Sequence, residues 1–348
     1  MREAARRLPL LPDLFKPLAP PVQALARRGL SPRFRARPWR RPAGTPRISV
    51  IGNCQAEGVA QSLRLLLPGA EVETILVAGL ARRFGTIDRL ASHLGSADHV
   101  FSHFFPEGFI PGGNVHALAE RVPRLRLFPT ILFSGFHPDL VHVGDEASLR
   151  LSRLVASPVG PYHSAIALQA FRRGLSVAAA LRLYDGAVFE RLGYFGLWEA
   201  GAEYLLRTAR DVGFGLDREF ALWCRGGVFM HVVNHPRLHV LGDVARRLAR
   251  EAGLDPLDIA VEAYAPDGLV AESVWPVLPA IAERYGVTGS TLFKGDGRRA
   301  PPRLLDLPDF VAESFALYAR HRPEDLACAR VAAWEADEEI GALFDAVA

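Results

Sequence analysis

The chain has 348 residues, 49% of them hydrophobic and 23% charged, which excludes a disordered or fibrous protein and leaves length for one large domain or two modest ones. Three cysteines exclude a disulfide framework, and the absence of any Cys-x-x-Cys pair excludes a zinc ribbon, so a reducing, cytoplasmic compartment is the expectation. The formal net charge of +3 conceals an asymmetry: residues 1–46 carry eleven basic side chains against Glu3 and Asp13, and the remainder is acidic.

Nine prolines between Pro9 and Pro46 leave room in that basic segment for little more than a short helix over 22–28. The segment reads either as an arm that touches an anionic surface, at the periphery of the inner membrane, or as a terminus draped over the body. Pro9, Pro12 and Asp13 interrupt its apolar patch before a signal-peptide core forms, and the longest uncharged run, 154–171, is broken by Pro158, Pro161 and His163, so no membrane span is expected.

The folded body starts near Arg47. Residues 48–51 form a short apolar run closed by Gly52, and Val59, Leu63, Leu66 and Leu67 then recur at helical spacing. Strands follow over 72–77 and 99–102, with helices over 86–94 and 115–122. A fourth strand lies within 125–133, where Pro129 argues for an edge or irregular position. Such alternation predicts an α/β fold: a parallel sheet with flanking helices, over 47–144. From 145 the texture turns helical (164–173, 176–184, 187–192, 200–212), returns to strand over 228–233, and continues with a helix over 237–251 and two more after 310, so 145–348 reads as a large, mostly helical insertion or subdomain.

Four stretches carry residues capable of chemistry. In Gly52-Asn53-Cys54-Gln55 the thiol follows a strand and precedes a helix, the setting of a nucleophile elbow, where the helix dipole and backbone N–H groups favour a thiolate or an anion. In Gly135-Phe136-His137-Pro138-Asp139 an imidazole and a carboxylate share a turn after the fourth strand, His137 reading as a general base and Asp139 as its neighbour. In Gly160-Pro161-Tyr162-His163-Ser164 the polar residues lie in or near the predicted first turn of a helix, a site for an anion. In Asn234-His235-Pro236 the chain passes from strand to helix, with Asn234 or His235 as N-cap and Pro236 at the first helical position. His231, His235 and His239 are spaced by four, but Pro236 prevents a single metal-binding helix face, so no metal is expected. His103, after the third strand, is a further candidate.

These motifs, in this order, resemble the WcbI-type polysaccharide-biosynthesis family, from about Arg47 to near the C-terminus. The family is regarded as acetyltransferases of capsular polysaccharide that bind coenzyme A. The resemblance implies an active site of Cys54, Gln55, His137, Asp139 and His163, with Asn234 and His235. Combined with the residue chemistry, the expectation is an O-acyltransferase using coenzyme A or acetyl-coenzyme A on a sugar or a polysaccharide precursor. Cys54, His137 and Asp139 are its catalytic candidates. Asn53, Gln55, His163, Ser164, Asn234 and His235 are its cofactor-binding candidates. Backbone N–H groups after Cys54, with the Asn53 or Gln55 amide, would hold the oxyanion, and Cys54 would act either as an acyl relay or only in shaping that site. No nucleic-acid partner is expected. The rival classes are an SGNH-like esterase with a cysteine nucleophile and a non-catalytic glycan-pathway binding protein.

Overall fold

A strand covered on both faces needs an apolar run without alternation, and Ile48, Val50 and Ile51 supply it at the centre of a four-stranded sheet. The computed structural model describes residues 44–145, 154–297 and 301–348, so the expected basic arm lies outside it apart from residues 44–46. Strand β1 (Arg47–Gly52) pairs in parallel with β2 (Glu71–Leu76) on one side and with β3 (His99–Ser102) on the other, and β3 pairs in parallel with β4 (Leu125–Leu127). The order is β2-β1-β3-β4, so β4 is an edge strand and stops before Pro129. The register sets Val50 beside Phe101 and Ile51 beside Ser102. Ile51, Ile75 and Val100 therefore point to one face, where they meet α2 (Leu80–Phe84), α3 (Ile87–Leu94) and α4 (Val115–Arg121). Thr86 caps α3 and Asn114 caps α4, each side-chain oxygen accepting N–H groups of the first turn.

Helix α1 (Gln55–Leu66) packs against β1 and β2 and buries Ala56, Val59, Leu63 and Leu66, the stripe expected of a helix on a sheet. The chain divides into two compact units, and residues 241–265 belong to this α/β unit together with the stretch that ends at Phe128. A late segment thus belongs to the same unit as the sheet. Leu257 N–H donates to the Leu66 carbonyl at 2.8 Å. Gly58 lets Leu241 come close, since a Cβ at position 58 would lie 2.3 Å from Leu241 Cδ1.

The second unit comprises 129–240 and 266–348 and is mostly helical. Three antiparallel ribbons punctuate it: β5 (Leu140–Val141) with β6 (His163–Ser164), β7 (Met230–Val232) with β8 (His235–Pro236), and β9 (Phe293–Lys294) with β10 (Leu304–Leu305). Between the first two ribbons lie α5 (Ala165–Arg172), α6 (Val177–Leu181), α7 (Gly186–Arg191), α8 (Leu197–Asp211) and α9 (Asp217–Arg225). Helices α10 (Leu238–Glu251), α11 (Pro279–Tyr285), α12 (Leu307–Tyr318), α13 (Ala329–Glu335) and α14 (Glu338–Asp345) complete the chain. Phe133 and Phe136 set their rings edge-on to Trp198 at 5.0 and 5.1 Å, an arrangement that aromatic quadrupoles favour. Among the described residues no helix is long and apolar enough to cross a membrane.

Imidazoles also belong to this core. His163 Nε2–H donates to the Val155 carbonyl at 3.0 Å, so its Nδ1 accepts from the Tyr318 hydroxyl at 3.0 Å. Burial pulls the pKa of His163 down to about 4, that of His142 to about 4 and that of His137 to about 3. The unfolded chain binds these protons near pH 6.5, whereas the folded one refuses them until about pH 4 or below. Stability is therefore complete above pH 6.5 and is lost progressively towards pH 4. Asp139, raised by burial from its ordinary 3.8, works in the opposite direction from that pH upward and offsets part of this loss. Urea titrations at pH 7.5, 5.5 and 4.5 should show a falling midpoint; a constant midpoint would refute the neutral assignment. Leu63→Ala, at a fully buried position of α1, should cost about 2–5 kcal/mol in the same assay.

Candidate active site

The order β2-β1-β3 carries the chain from β1 to one side of the sheet and then back across to the other. The carboxyl ends of β1 and β3 flank that reversal, which is where open parallel sheets bind ligands. Cys54 follows β1 at this point and His103 follows β3. Cys54 is the half-exposed N-cap residue of α1, with helical backbone (φ −56°, ψ −26°) and no side-chain capping bond. Asn53 does the capping: its Oδ1 accepts the Gln55 N–H at 3.0 Å, and its carbonyl accepts the Ala56 N–H at 3.0 Å. The Asn53 N–H in turn donates to His103 Nδ1 at 3.4 Å, which leaves the ring proton on Nε2, and the His103 ring packs 4.0 Å from the centroid of Phe128.

Close packing sets the details of this turn. Gly52 serves it by lacking a side chain, with no need of a positive φ: a Cβ there would lie 2.5 Å from His103 Nδ1. Gln55 is fully buried, so its side chain is no surface donor, and its backbone N–H is already engaged by Asn53. The other cysteines have different settings. Burial pushes the Cys224 thiol up to about 11, and Cys328 is buried.

In the second unit the three remaining motifs are brought together. Strand β5 follows His137-Pro138-Asp139 directly and pairs with β6, which is His163–Ser164 itself. The Tyr162 hydroxyl donates to Asn234 Oδ1 at 2.9 Å, and the Phe133 N–H donates to the Val233 carbonyl at 2.8 Å. The roles differ from those expected. His163 stands in a two-residue strand just ahead of α5, near its first turn as expected, but both its ring nitrogens are engaged within the core. Ser164 caps α5, its Oγ accepting the Ala167 N–H at 2.9 Å and meeting the Tyr184 hydroxyl at 2.6 Å. Asp139 does not orient His137. Its Oδ1 accepts from the Ile166 N–H at 3.0 Å and the Tyr194 hydroxyl at 2.7 Å, a second cap on α5. Burial raises its pKa, and those bonds together with the Arg330 charge oppose the shift only in part. His137 is fully buried and its ring nitrogens make no hydrogen bond of ordinary geometry; burial dominates its lowered pKa, and the Trp275 backbone only partly opposes it.

His235–Pro236 is the return strand of a hairpin, and α10 begins only at Leu238, whose N–H is accepted by Asp267 Oδ2 at 2.9 Å. The expected capping by Asn234 or His235 is thus replaced by a carboxylate from later in the chain. His231, His235 and His239 fall in β7, β8 and α10, so their spacing of four marks no common helix face. Among the described residues no group of three or more His, Cys, Asp or Glu side chains could hold a metal ion. The one close imidazole–carboxylate pair here joins His231 Nε2 to Asp267 Oδ2 at 2.8 Å. Asp267 stands in Pro266-Asp267-Gly268, which the sequence marks only as a turn.

A solved structure described as native WcbI, a polysaccharide biosynthesis enzyme, without a disulfide bond between coenzyme A and one of its cysteines, shares the fold. Its TM-score is 0.60 at 15% identity, covering 87% of this chain and 99% of that one. No curated protein matches the chain. The family model for the polysaccharide biosynthesis enzyme WcbI matches residues 47–257, more than half of the sequence, and the chain therefore belongs to the WcbI family of polysaccharide biosynthesis enzymes.

Proposed function

We propose that the protein is a coenzyme-A-dependent O-acyltransferase that moves an acetyl group onto a sugar hydroxyl in the making of a capsular or surface polysaccharide. The observation that carries this reading is the half-exposed thiol of Cys54 at the reversal point of a parallel sheet, at the head of a twelve-residue helix. A thiol there fits both partners of the chemistry. It can exchange an acyl group with a thioester, and it can form a disulfide with the coenzyme A thiol, a bond that the WcbI structure is described as being without.

The turn's own hydrogen bonds narrow the oxyanion donors. In an ordinary elbow the N–H after the nucleophile serves, but here the Gln55 N–H is held by Asn53 Oδ1. The same bond fixes the Asn53 amide, whose NH2 is the donor we assign to the thioester oxygen. Cys54 then acts as an acyl relay, or it shapes this site while the hydroxyl attacks acetyl-coenzyme A directly.

Coenzyme A at a hundredfold excess over its dissociation constant should stabilise the fold by ~2.7 kcal/mol, read as a rise in melting temperature. No shift at millimolar cofactor would count against the reading. An esterase would instead release free coenzyme A from acetyl-coenzyme A at a rate independent of any sugar.

Cys54 should be alkylated by iodoacetamide faster than Cys224, whose thiol burial raises, and faster than the buried Cys328, and coenzyme A should protect it. Peptide mass spectrometry after acetyl-coenzyme A treatment separates the two routes. A relay leaves an acetyl group on the Cys54 peptide and loses all transfer in Cys54→Ser. The shaping role leaves no adduct and keeps part of the rate. Wild-type turnover in Cys54→Ala would return this cysteine to the core.

A further inference from the structure

Within the α/β unit, every polar group of Asn53 except one is engaged. Its Oδ1 accepts the Gln55 N–H at 3.0 Å, its carbonyl accepts the Ala56 N–H at 3.0 Å, and its N–H donates to His103 Nδ1 at 3.4 Å. The side-chain NH2 bonds to no described residue, and Asn53 is only half-buried, so this NH2 can meet a ligand beside Cys54.

The soft point of the turn is the peptide plane between Gly52 and Asn53. Glycine permits a wide range of backbone angles, so residue 52 does not itself hold that plane. The bond from the Asn53 N–H to His103 does. The imidazole is in turn firmly seated, at 1% exposure. The His103 N–H donates to the Ile51 carbonyl at 2.8 Å, its carbonyl accepts from Ser102 Oγ at 2.8 Å, and its ring centroid lies 4.0 Å from that of Phe128. Phe128 is tied to the same strand, its N–H donating to the Ser102 carbonyl at 3.0 Å. A Cβ at position 52 would lie 2.5 Å from His103 Nδ1, so ring and turn are in direct contact. Residues 52–54, 102–103 and 128 all belong to one compact unit.

We infer that His103 is the positioning residue of the oxyanion donor: by accepting the Asn53 N–H it fixes the backbone from which the Asn53 amide reaches the thioester oxygen. The inference rests on the acyl-transfer reading above. In the step, the nucleophile forms a bond to the thioester carbon and a carbonyl electron pair moves onto the oxygen, to which the Asn53 NH2 donates. The pair returns as the C–S bond breaks, and the nucleophile's proton ends on the departing sulfur, with no oxidant or reductant. His103 touches no reacting atom and carries no proton in this step. Its effect is on placement, and a donor misplaced by about 1 Å costs as much as ~100-fold in rate.

The test uses the full chain, acetyl-coenzyme A and a panel of nucleotide-diphosphate sugars, with acetyl-sugar quantified. His103→Leu keeps a branched side chain but puts a methyl group where Nδ1 accepts. It should stay folded, keep the thermal shift with coenzyme A, and lose about 10- to 100-fold in kcat with little change in KM. His103→Asn sets an amide oxygen at the same branch and should recover most of the rate. Gly52→Ala, which crowds the ring away from the turn, should also lose kcat but add little to His103→Leu, because both act through one contact. A folded His103→Leu with kcat within about threefold of wild type, or equal losses in His103→Leu and His103→Asn, overturns the assignment and leaves the acyltransferase intact. If the wild type acetylates no sugar of the panel, it is the acyltransferase reading that fails. Nitrogen-15 NMR of the wild type judges the contact in either case: the ring proton is expected on Nε2, and a proton on Nδ1 of His103 would overturn the inference.

Discussion

One carboxylate, Asp267, organises the part of the second unit where the histidines gather. Its two oxygens accept from the His231 ring and from the backbone N–H groups of Leu238 and Leu269. A strand, the first turn of a helix and a short 3-10 turn are thereby held by a single side chain. The helix depends on it because the first N–H groups of any helix lack internal partners, and the Leu238 N–H gives its hydrogen bond to this carboxylate. His235 is committed to pairing with Val232, and Pro236 pairs with Met230. The cap therefore comes from 29 residues further on, and the imidazole receives its orientation from the same atom.

That arrangement explains what could be read from the sequence and what could not. The strand–turn–helix from Arg47 to Leu66 is a local pattern: an apolar run, a small residue, then a 3.6-residue stripe. The strand His99–Ser102 and the helix behind Thr86 are equally local. Cys54 stands out for the same reason, since its place depends only on its neighbours. The assignments that change are those in which a side chain serves a distant backbone. Asp139 caps a helix that begins 26 residues later, and the hydrogen bond that shows this leaves no trace in the spacing of His137 and Asp139. Two residues apart in a turn, these side chains invite pairing, yet the carboxylate turns to Tyr194 and Ile166. His163 reads as a helix-terminus ligand because Gly160-Pro161 suggests a helix start. The helix does start there, with Ser164 as its cap, but the His163 ring is committed to Tyr318 and the Val155 carbonyl, partners the local pattern does not show.

The α/β unit shows the same economy of polar groups. Asn53 supplies an amide oxygen and a carbonyl to the start of α1 and an N–H to His103. One asparagine thus fixes the backbone on both sides of the thiol and the tautomer of the ring on the next strand. A serine or aspartate here would cap the helix as well, but neither carries the amide NH2 that the proposed oxyanion contact requires. The missing Cβ at Gly52 lets His103 lie against the turn, so the small residue and the imidazole form a single requirement.

Lys294 is one of only two lysines in the chain, the other being Lys16. Its ammonium donates to the carbonyls of Val270, Ala271 and Glu272, three acceptors converging on one compact, tetrahedral donor. The chain thus offers an amine-selective reagent just two side-chain targets, one of them locked against the segment that carries Asp267 and Glu272. Acylation at Lys294 demands that its nitrogen first give up these carbonyls. The rate at which that single peptide gains mass is therefore a clock for the breathing of the 266–275 loop, built into the molecule without any engineered probe.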